Sequence, residues 1–188
     1  MQLIAHQTAA RLLSPKAPPQ ISRQDITYSM AMSDLGRVLV ARSSAGVCAI
    51  LFGENDDELS TDLATRFPKS RLKADEEALR GELAKVVAFI DTPSAKLDFA
   101  VDMRGTPFQC RVWQELRAIP VGVTISYSEL ARRIGEPRSV RAVATACASN
   151  AIALAIPCHR IVRNDGGLAG YRWGIERKRA LLSKEAAQ

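Results

Sequence analysis

The segment Ile156-Pro157-Cys158-His159-Arg160-Ile161-Val162 holds the residues best suited to chemistry in this 188-residue chain. A thiol is a strong nucleophile only as the thiolate, and a neighbouring base or positive field lowers its pKa. His159 stands directly beside Cys158, with Arg160 following; the other histidine is His6. In an extended segment adjacent side chains point to opposite sides. Proton transfer through one bridging water then suits the pair better than direct contact. Pro157 fixes the backbone that enters the nucleophile. Taken alone, a Cys-His dipeptide also fits a buried cysteine beside a surface histidine. The remaining cysteines, Cys48, Cys110 and Cys147, form no CxxC pair, so neither a metal site nor a cofactor is expected. Cys48, inside the apolar run VCAIL, and Cys147 read as core thiols, and Cys110 has no assigned role.

The elements that must position this segment follow from periodicity. Residues 1–23 carry Pro15, Pro18 and Pro19 among small and polar residues and read as a flexible tether. Three β-rich runs, 26–32, 37–42 and 46–52, are separated by short turns, which predicts an antiparallel meander. Helices are predicted over 56–67 and 75–91, the second with Leu79, Leu83, Val86, Val87 and Ile90 on one face. Together these make an N-terminal α+β unit over 24–100. Residues 101–188 read as helical. Thr106 caps and Pro107 opens a helix with a Phe108, Val112, Leu116, Ile119 stripe. Short helices over about 127–134 and 138–149, joined through Gly135-Glu136-Pro137, suit a helix-turn-helix. A last amphipathic helix covers about 174–186. The fold class is α+β: a small sheet-and-helix unit followed by a helical helix-turn-helix domain.

Charge separates the halves. Residues 1–100 hold 12 Lys and Arg against 13 Asp and Glu, a net −1, whereas residues 101–188 hold 14 against 7, a net +7. A basic half suggests a polyanionic partner. On the helix near 138–149, Val140, Val143, Ala144 and Cys147 face inward. Arg138, Arg141 and Thr145 lie opposite, and Ala142, Ala146 and Ala148 fill much of the rest. Such a small-sided basic helix can approach a nucleic-acid groove closely, although an Ala-rich packing helix with incidental arginines has the same composition.

The stretches LGRVLVA, GVCAILFG, RGTPFQCRVWQELRAIP, ISYSELARRIG, VRAVATACASN, IPCHRIV and GLAGYRWGIERKRALL occur here in one order. In that order they resemble the O6-alkylguanine-DNA alkyltransferases, whose signature is PCHR followed by Ile or Val. The resemblance covers about residues 25–186 and is nearest to the repair domain of the bacterial adaptive-response proteins. It implies that an RNase H-like unit precedes the helix-turn-helix. It implies irreversible transfer of an alkyl group from O6 of a flipped-out guanine in double-stranded DNA to Cys158, with O4-alkylthymine a second candidate substrate. Cys158 matches the alkyl acceptor, His159 the water-linked base, and Glu185 the carboxylate that holds the histidine. Asn150 matches the asparagine bracing the turn before the active-site segment, and Tyr127 the hydroxyl that donates to O6 of the leaving guanine. Arg141 matches the residue inserted into the duplex, and Arg138, Thr145 and Arg160 join it as DNA-binding residues. Ile161 and the backbone at Tyr171 and Arg172 match pocket walls and donors. Two departures stand out. The zinc ligands of eukaryotic members are missing, and so is the zinc-cysteine sensor domain of the adaptive-response proteins, so the resemblance does not extend to a transcriptional role.

Other classes explain less. A non-catalytic helix-turn-helix DNA-binding protein leaves the Cys-His-Arg segment idle. A papain-like hydrolase needs a distant histidine, and only His6 is available. With no secretion signal and no apolar run near the ~20 residues of a membrane span, a cytoplasmic monomer with free thiols and no membrane partner is expected.

Overall fold

The structure is a computed structural model that describes residues 24–93 and 97–187; the expected tether over 1–23 and His6 lie outside the described residues. Strands β1 (Asp25–Ser33), β2 (Gly36–Ser43) and β3 (Gly46–Gly53) form the antiparallel meander. Gly46 takes φ 141°, and a Cβ there would stand 2.5 Å from the Ala100 carbonyl oxygen, so the turn tolerates no side chain. Helix α1 (Asp56–Arg66) is capped by Asn55, whose side chain accepts from the Glu58 amide, and Asp56, Asp57 and Glu58 complement its N-terminal dipole.

After α1 comes a strand that periodicity did not predict. β4 (Arg71–Ala74) runs parallel to β1, which gives the order β3-β2-β1-β4. The sheet is therefore mixed rather than purely antiparallel. Four residues reading Arg-Leu-Lys-Ala, mostly exposed, carry no alternation strong enough to mark a strand. Helix α2 (Glu76–Asp91), capped by Asp75, lays Leu79, Leu83, Val86, Phe89 and Ile90 into the core. Each such side chain contributes about 1.5–3 kcal/mol on full burial.

The second half is built on the far edge of the sheet. β3 is the edge strand and is buried along its whole length. An open edge must be covered, and two later segments, one at the junction of the halves and one in the second half, cover it. Val47 N–H donates to Ala100 O at 2.8 Å, and Asp102 N–H donates to Val47 O at 2.8 Å. Ile50 N–H donates to Ala151 O at 2.9 Å, and Ala153 N–H donates to Ile50 O at 3.0 Å. One buried apolar cluster consequently runs through both halves.

Helix α3 (Pro107–Arg117) opens with the expected Thr106 cap, reinforced by Gln109 into a capping box. Trp113 Nε1 donates to Ala146 O at 2.8 Å and so ties α3 to α5 (Val140–Ala148). Helix α4 (Tyr127–Arg133) follows β5 (Ile125–Ser126), which pairs in parallel with β6 (Ile161–Val162). Helix α6 (Ile175–Ala186) closes the chain, and Arg177 anchors it to the first half through Leu35 O at 2.7 Å.

Candidate active site

Residues 150–158 form a tightly turned segment resting on β3. Asn150 clamps it: its Oδ1 accepts from Ile152 N–H at 2.8 Å, and its Nδ2 donates to Ile156 O at 2.9 Å. Leu154 takes φ 67°, a conformation costing a non-glycine residue about 1–3 kcal/mol and one held here by the surrounding bonds. Asn150 Nδ2 also lies 3.3 Å from Cys158 Sγ, so the clamp reaches the nucleophile itself.

Cys158, His159 and Arg160 form a 3-10 turn, not the extended run expected from sequence. Its consequence is that all three side chains are buried, at 6%, 0% and 5% exposure. Glu185, from α6, is equally buried and receives both neighbours. His159 Nε2 lies 2.8 Å from Glu185 Oε1. Arg160 Nε donates to Oε2 at 2.9 Å, and its Nη2 donates to Oε1 at 2.7 Å. Arg160 Nη1 further donates to Ile119 O at 2.6 Å, and Gly122 N–H donates to Glu185 Oε2 at 3.3 Å. A DNA-contact role for Arg160 is thereby corrected. Its guanidinium is enclosed by Glu185 and a carbonyl, and no phosphate reaches it.

The charges set the proton inventory. Burial pushes the Glu185 carboxyl up, but the hydrogen bonds from His159 and Arg160 outweigh this and hold it at about 2. Burial depresses His159 below the usual imidazole value, with Glu185 opposing. Burial also pushes the Cys158 thiol up to about 11, against the Asn150 hydrogen bond and the positive charge of Lys178. Near neutrality thiol and imidazole are both uncharged beside an ionised carboxylate. His159 Nδ1 is buried without a hydrogen-bond partner among the described residues, so it remains a free acceptor on the face opposite Glu185.

Lys178 is the residue sequence reasoning missed. It is fully buried; its Nζ donates to Ala169 O at 3.3 Å and also to Ile161 O. The signal was present: Lys178, Leu181 and Glu185 are the buried residues of α6, spaced i, i+3, i+7. Two charges on the inward face of an amphipathic helix rarely occur without a task or a partner.

Above the thiol opens a cleft of about 360 Å³, lined by Tyr127, Ala144, Cys147, Cys158, Tyr171 and Arg172 among others. Tyr127 starts α4, and burial raises its hydroxyl pKa to about 12, so it stays a proton donor. The Tyr171 ring meets His159 edge-on at 6.4 Å. Arg172 reaches Asp62 of α1 at 3.0 Å. Ile161 is corrected as a pocket wall: its side chain is fully buried, and it does not line the cleft. Arg141 and Thr145 lie exposed on α5, and Arg138 is exposed in the turn before it. Ala146 and Cys147 are both buried, so Ala146 faces inward, and Cys147, read as core, also borders the cleft.

A family model described as the DNA-binding domain of 6-O-methylguanine DNA methyltransferase matches residues 107–187. The bifunctional transcriptional activator/DNA repair enzyme Ada of Escherichia coli is 47% identical over 161 residues, which are 86% of this chain and 46% of that protein. The chain thus spans about half the length of that relative. The methylated-DNA–protein-cysteine methyltransferase of Mycobacterium bovis is 44% identical over 114 residues, 61% of this chain and 69% of that protein. The solved structure of Mycobacterium tuberculosis OGT in complex with DNA superposes with TM-score 0.70 at 33% identity, covering 86% of this chain and 93% of that one.

Proposed function

The chain belongs to the O6-alkylguanine-DNA alkyltransferase family, and on that premise we propose that it repairs DNA by moving the alkyl group of O6-alkylguanine irreversibly onto Cys158. The observation that carries this reading is a nucleophile on the floor of a cleft with a proton path behind it: Cys158, the unpartnered His159 Nδ1, and Glu185 at 2.8 Å from Nε2.

The target atom lies inside the duplex, so the nucleotide is flipped into the cleft at a cost of a few kcal/mol. Arg141, exposed on α5, fills the space it leaves, and Arg138 and Thr145 hold the backbone beside it. We read α4, its connecting turn and α5 as the helix-turn-helix, and residues 24–100 as the RNase H-like unit of the family. The thiol proton passes through one water to His159 Nδ1, and the ionised Glu185 stabilises the resulting imidazolium. Sulfur then attacks the alkyl carbon. The S–C bond forms as the C–O6 bond breaks, and the freed electron pair stays on guanine O6, where the Tyr127 hydroxyl donates a hydrogen bond while the base takes up a proton from solvent. The backbone around Tyr171 and Arg172 supplies donors to the base. A thioether sulfur is a poor leaving group even toward a neighbouring thiol, so each protein reacts once. No described helix is long and apolar enough to cross a membrane, and we take the working form to be a cytoplasmic monomer on double-stranded DNA.

The test is a turnover count. With excess DNA containing O6-methylguanine, intact mass should rise by one methyl per protein and then stop. Many methyl groups removed per protein, or none, would overturn the reading.

A further inference from the structure

The cleft above the alkyl acceptor is lined by a second sulfur whose place the repair chemistry does not use. Cys147 and Cys158 both border it, and Asn150 bonds the backbone of one and the sulfur of the other. Asn150 N–H donates to Cys147 O at 3.3 Å, and Asn150 Nδ2 donates to Cys158 Sγ at 3.3 Å. The last turn of α5 and the 3-10 turn thus face each other across one asparagine. Both thiols are buried, at 6% exposure each, and both are free. The other two cysteines are elsewhere: Cys48 sits in β3 facing Ala41 O, and Cys110 sits in α3 facing Met103 O and Gly105 O.

We propose that Cys147 and Cys158 form a dithiol site that chelates a monosubstituted trivalent arsenical. Chelation balances without an oxidant. Two S–As bonds form, the arsenic–oxygen double bond breaks, and the oxygen leaves as water with the two thiol protons while arsenic stays trivalent. The donor set selects a soft thiophile over a hard divalent cation, because two thiols and no carboxylate line the cleft. A tetrahedral zinc ion would need further histidine, cysteine or carboxylate ligands, and the cleft lining supplies only these two sulfurs. The arsenic dithiolate is neutral, as are the two thiols it replaces, so the electrostatics of the site do not change. Two sulfurs held on separate elements also bind one arsenic more tightly than either alone, because the second bond forms intramolecularly.

The site stands on two thiols in the lining of one cleft; only its consequence, a blocked acceptor, rests on the proposed function. The probe is phenylarsine oxide at one equivalent with the full chain. Intact mass should show one phenylarsenic per protein, and titratable thiols should fall from the four of the sequence by the pair that binds. The adduct should resist glutathione and reverse with 2,3-dimercaptopropanol. Cys147→Ala and, separately, Cys147→Ser should each weaken binding by roughly tenfold or more, as should Cys158→Ala, while Cys110→Ser binds as the parent does. Far-UV circular dichroism on each variant verifies folding. Binding of equal strength in both folded Cys147 variants, or arsenic mapped to Cys48 or Cys110, overturns the proposal. A chelate on both cysteines in a protein that never accepts a methyl group leaves the site standing and removes the alkyl-acceptor reading instead.

Discussion

Cys48 and Cys158 are two buried thiols that burial pushes to the same value, about 11, in opposite halves of one molecule. Cys48 lies in the edge strand β3, 3.5 Å from the Ala41 carbonyl, and borders a cleft of about 290 Å³ whose lining includes Arg66, Arg104 and Trp113 but no histidine. Cys158 lies below a cleft, with an asparagine N–H on its sulfur and a histidine–glutamate pair behind it. The two halves differ in the same way. The buried polar residues of the first half are Ser29 and Ser43, whereas the second half buries Asn150, His159, Arg160, Lys178 and Glu185. A raised thiol pKa therefore does not distinguish an inert cysteine from a reactive one. A neighbour able to take the proton does.

The largest effect should come from exchanging the two thiols for alanine. Cys158→Ala should abolish alkyl transfer while retaining affinity for DNA, because the exposed face of α5 is untouched. Cys48→Ala should retain transfer and lose about 1–3 kcal/mol of stability, the ordinary cost of a core deletion. Urea denaturation of both proteins alongside a transfer assay checks the pair, and loss of transfer in a folded Cys48→Ala would erase the distinction.

Removing the groups that separate the two environments comes next. Lys178→Met should raise the apparent pKa of the Cys158 thiol and slow transfer by about tenfold, within the span assigned to acid–base partners. It should also leave the fold intact, since an apolar side chain replaces a buried charge. The check is the pH dependence of iodoacetamide labelling at Cys158 against Cys48 in the same sample. An unmoved Cys158 profile would reduce Lys178 to a structural tie between Ile161 and Ala169.

Much of this architecture was legible beforehand. Proline and threonine at 106–107, apolar spacing in α2 and the clustered turns of the meander each have a local cause, and each element appears within a residue or two of its expected bounds. The unread parts are those whose cause is tertiary. β4 exists because β1 offers it a partner. Arg160 was grouped with the DNA-binding residues, and only the arrival of Glu185 from 25 residues away encloses it. Cys158 and His159 were legible as a pair. Their turn geometry was not, because it depends on the Asn150 clamp and on the edge of β3.

A smaller effect concerns DNA engagement. Arg141→Ala should slow repair in duplex DNA several-fold more than reaction with the free base, and should lower the slope of log affinity against log salt by about one. Fluorescence anisotropy at several salt concentrations checks it; an unaltered duplex rate would move the inserted residue elsewhere.

The mildest effect is on acid stability. Glu185 is held at about 2 in the folded chain against 4.5 ordinarily. Its contribution is complete above pH 4.5 and is lost as pH falls toward 2. His159, depressed below 6.5, adds destabilisation as pH falls through that value, because the unfolded chain takes up the proton first. Thermal melts between pH 7 and 3 should show both losses, with the part below pH 4.5 flattened in Glu185→Gln.

The central claim is that Cys158 accepts the alkyl group because the Glu185–His159 pair takes its proton. Its most direct test is peptide-resolved transfer of a labelled methyl from duplex DNA, followed against pH in the parent and in Glu185→Gln. The label should appear on the Cys158 peptide alone, and the Glu185→Gln rate profile should be slower and displaced to higher pH with DNA affinity retained. Label on Cys147 or Cys110, or superimposable profiles for the two proteins, would contradict it.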